Sequence, residues 1–165
     1  MKKTVTITYP ATTERVAAML ADPQYLRQRL GRIGLEEADV DVAARGRGFV
    51  STLSGTVPPS RLPQAAARFV RSAVGFTLSE SWDEPADDGS RRGSLDVTVS
   101  GAPVRLGASS RLAASSPQST RLTMDLELSV SVPLIGRTLE DKAMGMVGAV
   151  VADEEKRAAA WLAQH

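Results

Sequence analysis

The sequence predicts an α+β fold: a curved seven-stranded antiparallel sheet wrapped around a long C-terminal helix, with two short helices between strands 1 and 2. Three observations predict it. Between residues 121 and 132, Leu122, Met124, Leu126, Leu128, Val130 and Val132 alternate with polar residues, the pattern of a strand with one wet and one buried face. Beyond Pro133 the period changes from two to 3.6, and Ile135, Leu139, Ala143, Met146, Val150, Glu154, Ala158 and Trp161 recur at helical spacing. The order of elements is strand, two short helices, six strands in a meander, then the long helix, without internal repeats or a linker to a second domain.

Each element has its own signal. Val5, Ile7 and Tyr9 alternate with threonines until Pro10 ends the strand. Thr12 or Thr13 caps a helix carrying Val16, Met19 and Leu20, and Asp22-Pro23 starts a second, with Tyr25, Leu26 and Leu30 on its apolar side and Gly31 and Gly34 at its close. Val40, Val42 and Ala44 form strand 2, Arg45-Gly46-Arg47-Gly48 turns, and residues 49–53 form strand 3. The stretch VPPSRLP at 57–63 cannot be a central strand, because proline donates no ladder hydrogen bond. QAAARFVRSA after it reads as a short helix or ordered loop. Val74, Phe76, Leu78, Glu80 and Trp82 then share one strand face, and residues 83–93, including Arg91-Arg92, read as a polar turn. Leu95, Val97 and Val99 make strand 5. Val104, Leu106 and Ala108 open strand 6, and SSPQS turns into strand 7.

Composition excludes several functions. The chain has 165 residues, sufficient for one domain with a single core. It has no cysteine, and its one histidine is His165, the last residue. Thiol chemistry, disulfides, thiolate metal sites, histidine triads and histidine–metal sites are thereby removed. Lysine plus arginine number 20 against 19 acidic residues, with no basic block, so no nucleic-acid footprint is expected. No carboxylate cluster has metal spacing, the DEPADDG turn lacks a calcium-loop pattern, and no phosphate-binding glycine motif occurs. No secretory signal or membrane-spanning run is present, and the chain reads as cytoplasmic. No cofactor is implied, and oligomeric state is left open.

Short motifs in a fixed order carry a resemblance: YPATTERVAAMLADPQY near the start, LPQAAARFV and ESW in the middle, GAP near residue 102, and VPLIGRTLE leading to EEKRAAAWL. In this order they resemble the START-related helix-grip superfamily, also called SRPBCC and typified by the birch pollen allergen. More narrowly they resemble an actinobacterial-type domain-of-unknown-function family within it. The resemblance covers nearly the whole chain. It implies a cavity for an apolar ligand such as a lipid, sterol, polyketide or plant hormone.

Strand parity sends Phe76, Leu78, Glu80 and Trp82, then Val97, Leu106, Met124 and Leu126, toward the concave side. Met146 and Val150 face them from the helix. With Phe69 these are the candidate ligand-binding residues. Glu80 is the outlier, since a carboxylate among apolar side chains needs a partner or a proton. It reads either as a polar anchor or general acid–base in the pocket, or as a structural bond to a nearby arginine. Gly145 and Gly148 on the long helix read equally as space for a ligand or as close approach of helix to sheet. Links 56–73, 100–103 and 132–137 fall at one end of a meander, so 57–73 is expected to act as a lid with Phe69 and Val70 as its plug.

Three functions compete. One is a carrier of a small hydrophobic molecule. The second is a cyclase- or aromatase-like enzyme using Glu80 with hydroxyls, and the third a protein-interaction module with a filled core. The lack of an internal histidine–acid pair disfavours the enzyme.

Overall fold

The computed structural model describes residues 1–62, 64–68 and 70–165. Strand β1 (Lys2–Tyr9) is followed by α1 (Thr13–Leu20) and α2 (Pro23–Arg32), then β2 (Asp39–Arg45) and β3 (Gly48–Val57). A 3-10 turn (Pro59–Arg61) and the one-turn α3 (Gln64–Ala67) lead to β4 (Val74–Trp82), β5 (Arg91–Ser100), β6 (Val104–Ser116) and β7 (Ser119–Val130). The long α4 (Gly136–Gln164) follows. The seven strands form one antiparallel sheet in the order β1-β7-β6-β5-β4-β3-β2, so the meander closes by bringing β1 beside β7.

Local chemistry sets the helix starts. Thr12 accepts from the Arg15 N–H at α1, and Asp22 accepts from the Gln24 N–H at α2, where Pro23 occupies the first turn. Both side chains satisfy donors that a helix leaves free.

The register carries apolar rows across the concave face. Leu78 pairs with Val97, Val97 with Leu106, and Leu106 with Leu128. The parallel row runs Glu80, Leu95, Ala108, Leu126. One end of this face is sealed: Tyr9, Val16, Leu20, Tyr25, Phe49, Trp82, Leu112, Leu122 and Trp161 belong to one buried cluster. A smaller cluster sets Leu26 and Leu30 of α2 on Leu53. The links 57–74, 100–104 and 130–136 all leave the sheet at the other end.

The corner from β7 to α4 is built from four residues. Pro133 stops the ladder, and Leu134 turns the chain with φ 69°. The Gly136 N–H then donates to Val132 O at 2.9 Å. A Cβ at position 136 would overlap the Val130 carbonyl oxygen, so only glycine lets the helix start this close to the strand. Glu140 Oε1 accepts the Val130 N–H at 2.8 Å and holds the first turn down.

The long helix packs chiefly on β1 and β7. Lys3 Nζ donates to Met144 O at 2.9 Å and the Thr8 N–H to Glu155 Oε1 at 2.8 Å, which places β1 on one flank. Arg32 donates to Asp153 at 2.9 Å and places α2 on the other. Met144, Glu154, Ala158, Trp161 and Leu162 are buried. Of the spacing predicted to face the sheet, Met146 and Val150 are instead 66% and 62% exposed. The helix is seated toward one margin of the sheet, which leaves its α2-side flank uncovered. No described helix is long and apolar enough to cross a membrane.

Two further readings change. Arg91 and Arg92 lie in β5, paired with Leu112 and Arg111, rather than in a turn. Arg91 Nη1 reaches the carbonyls of Arg47 and Asp83 at 2.8 and 3.1 Å, which anchors the strand start. Gly145 and Gly148 are exposed, and a Cβ on either would meet nothing within 4 Å, so they provide neither cavity nor close approach. Replacing either glycine by alanine therefore raises stability by about 0.5–1 kcal/mol, since alanine is the better helix former and restricts the unfolded chain. Urea denaturation of Gly145→Ala, Gly148→Ala and the double variant checks this. Gly136→Ala lowers stability in the same assay.

Candidate functional site

Where α2 crosses under α4, polar groups converge in the sealed end of the sheet. Glu154 is 6% exposed. Its Oε1 accepts from the Tyr25 hydroxyl at 2.6 Å and from the Tyr9 hydroxyl at 3.4 Å. Its Oε2 accepts from Arg32 at 3.1 Å and lies 3.7 Å from Arg29 Nε. Arg29 then reaches Glu80 Oε2 at 3.5 Å, and Glu80 Oε1 accepts from the Trp82 indole at 2.8 Å. One network thus joins β1, α2, α4 and β4.

The spacing of α2 makes it possible. Tyr25, Arg29 and Arg32 recur at four and three residues, on one helix face. Burial works against the Arg29 charge, but Glu154 and Glu80 more than offset it and hold its pKa above the ordinary arginine value. Burial first, then the nearby Glu154, pushes the Tyr9 and Tyr25 hydroxyls above the usual tyrosine range, so they remain donors. Hydrogen bonds from Arg157 first, then from Arg32, lower the Asp153 carboxyl pKa. Among the described residues two buried polar atoms lack a partner, Arg32 Nε and Ser51 Oγ. Ser51 is the cross-strand neighbour of Glu80 on the same face.

From this network toward the other end the concave face carries Phe76, Leu78, Val97, Val99, Leu106 and Leu126, each half-buried. Phe76 and Leu78 pack against the Leu26, Leu30 and Leu53 cluster under α2. Met146 and Val150 lie exposed on the α2-side flank of α4. Two surface depressions are present. One of about 740 Å³ sits between the β4–β5 turn and Arg111, and one of about 520 Å³ at Lys2, Gly107, Asp125, Leu126 and Glu127. Both carry charged side chains, the second also touches Leu126, and neither is lined by Phe76, Leu78, Val97 or Leu106. Among the described residues no group of three His, Asp or Glu side chains is placed to hold a metal ion.

The predicted residues separate into groups. Phe76, Leu78, Val97, Leu106 and Leu126 lie half-buried on the concave face of the sheet. Met124 is half-buried against the main cluster, and Trp82 is 2% exposed within it. Glu80 does face inward, but both its oxygens are engaged, by Trp82 and by Arg29. Phe69 lies outside the described residues. The 57–62 segment sits at the expected end, where the Arg61 guanidinium donates to Gly34 O, and Val70 is half-buried. The sequence reading missed Arg29, Arg32 and the roles of Tyr9, Tyr25 and Glu154. One signal could have found them: Glu154 shares a helical stripe with Val147, Val151, Ala158 and Trp161, and a carboxylate there demands partners.

A family model described as "Protein of unknown function (DUF2505)" matches residues 4–162. No curated protein matches the chain. Among solved structures, the chain is similar to a START superfamily protein from Mycobacterium smegmatis, with TM-score 0.57, 17% identity, and 95% of this chain and 96% of that one covered. A conserved protein from Geobacillus kaustophilus gives 0.56, 16%, 99% and 96%. A norcoclaurine synthase point mutant from Thalictrum flavum, in complex with a transition-state analogue, gives 0.53, 10%, 100% and 96%. At such identities the likeness is one of fold, the START-related helix-grip fold.

The network sets two expectations. Glu154→Ala leaves buried donors and cations without their shared acceptor and destabilises by about 3 kcal/mol or more, whereas Glu154→Gln, which keeps an acceptor, costs less. Chemical denaturation of both variants checks the order. The raised tyrosine values mean that the folded state holds protons the unfolded chain has released. Stability is therefore full below about pH 10 and falls as pH rises beyond it. The alkaline slope becomes shallower in Tyr25→Phe, measured by urea unfolding across that range.

Proposed function

The chain belongs to the DUF2505 family, and for this member we propose binding and carrying of a small hydrophobic molecule, of the lipid or polyketide class, in the groove between sheet and α4. The observation that supports this reading is the half-buried apolar face at Phe76, Leu78, Val97, Leu106 and Leu126, together with the exposed Met146 and Val150 on the flank of α4. A contiguous apolar surface of this kind is unfavourable in water and is the usual mark of a binding groove. Met146 adds a flexible, polarisable contact that adapts to irregular ligand shape. The groove ends at Arg29, whose side chain is 32% exposed. In this reading Arg29 orients a polar head group, while Glu80 and Glu154 hold the guanidinium in place. Trp82 and Met124 back the apolar face, Val70 belongs to the lid, and the carrier works in the cytoplasm.

Glu80 serves as a positioning group, with both oxygens engaged, so the proposal includes no turnover. Native mass spectrometry of freshly isolated protein, followed by organic extraction, is expected to reveal a bound apolar species. Delipidated protein is expected to enhance the fluorescence of 1-anilinonaphthalene-8-sulfonate. Val97→Trp with Leu106→Trp fills the groove and lowers probe affinity tenfold or more, since a bulky side chain occupies the volume the ligand needs. A clean apo mass with no probe enhancement would overturn the carrier reading.

A further inference from the structure

The open end of the sheet carries an unusual pair of features. Leu134 is fully exposed and left-handed, at φ 69°. A leucine there is disfavoured by sterics and by hydration at once, and glycine or asparagine would suit the turn better. Ile33, after the last residue of α2 and next to Gly34, whose carbonyl meets Arg61 of the β3–β4 link, is 66% exposed. Together with Met146 and Val150 on the first half of α4, these are the exposed large apolar side chains of the described residues. None lies at the sealed end.

Charge is distributed with the same polarity. At the open end, the three connections together with the first two residues of β6 and of α4, residues 57–73, 101–105 and 131–137, contain Arg61, Arg68, Arg71, Arg105 and Arg137 and no Asp or Glu. Arg61 is committed to Gly34 O. The other four are exposed, with no carboxylate partner among the described residues. The β4–β5 turn at the opposite end carries Asp83, Glu84, Asp87 and Asp88. Glu36, Glu37 and Asp39 follow α2 at the open end, so the positive sector lies on the β4–β7 side, around Leu134. Glu140, the nearest acid on α4, is turned inward to the Val130 N–H and the N-terminal amine.

We propose that this end is a docking surface for an anionic lipid bilayer, with Leu134 entering the headgroup layer and Arg68, Arg71, Arg105 and Arg137 meeting the lipid phosphates. An exposed apolar side chain at the same end of the sheet as unpaired arginines matches such a surface, since each cation near it adds attraction and one buried side chain adds little alone. The inference rests on surface features and stands apart from the identity of any ligand.

The test is co-sedimentation of the full chain with vesicles of phosphatidylcholine alone and of phosphatidylcholine mixed with phosphatidylglycerol. Binding is expected to the mixed vesicles only, and to weaken as salt screens the charges. Arg68→Gln, Arg71→Gln and Arg137→Gln together are expected to lower it tenfold or more. Leu134→Gly is expected to lower it several-fold while leaving the melting temperature unchanged or higher, because glycine accepts the left-handed backbone. Arg45→Gln, Arg111→Gln and Arg121→Gln together, at the sealed end, remove the same charge and are expected to bind as the parent does. Failure of the parent to bind mixed vesicles overturns the proposal, as does undiminished binding by the open-end variants or an equal loss in the control. Absence of vesicle binding together with self-association that Leu134→Gly abolishes would make the patch a contact between copies of this chain and would likewise refute it.

Discussion

Glu154 occupies a position from which four elements are held at once. Its carboxylate receives hydroxyls from β1 and α2 and guanidinium groups from α2, and through Arg29 it is joined to Glu80 on β4. A charged group in that location costs several kcal/mol to desolvate unless its lone pairs are engaged. The partners must therefore arrive together, which makes their relative placement specific. Apolar packing alone would tolerate a helix sliding along the sheet; a carboxylate shared between two tyrosines and two arginines does not.

The half-buried apolar face follows from this attachment. The network fixes the C-terminal half of α4, where Ala158, Trp161 and Leu162 complete the core. Lys3 and Glu155 draw the same helix toward β1. With both ties made, the helix lies along the β1–β7 margin, and the concave face of the central strands is left half-buried. The α2 helix covers part of that face, setting Leu26 and Leu30 beside Leu53, Phe76 and Leu78. The tightly buried core and this half-buried apolar face are two parts of one surface, separated by the row of polar groups from Trp82 to Arg32.

Much of this was legible in the residue pattern. Strict alternation at 121–132 and the change of period at Pro133 identified β7 and α4, because one wet face and one dry face leave a direct imprint on sequence. Thr12 and Asp22-Pro23 marked helix starts through local hydrogen bonding. Parity alone put Glu80 on the concave side. The angular seat of α4 was not legible. Its apolar residues cover more of the circumference than the contact uses, so spacing could not distinguish Met144, buried, from Met146, exposed. The network was hidden for a related reason: its members are distant in sequence, and Tyr25, Arg29 and Arg32 each look ordinary on an amphipathic helix. Arg91 and Arg92 resembled a turn because polar residues on a wet strand face and in a turn have the same composition.

The margins of the sheet bear on how this molecule meets its own copies in a crowded solution. At β1 the Thr8 N–H is already taken by Glu155, so α4 stands over part of that margin. At β2 the row includes Asp39 and Asp41, both exposed. A second chain adding itself strand to strand would place its own aspartates on the same face, and like charges at such a joint are repulsive. The protein thus keeps its uncovered apolar area on a face whose backbone is fully paired, and its unpaired backbone on a margin that carries carboxylates. Fibrillar growth needs both properties in one place, and this fold separates them.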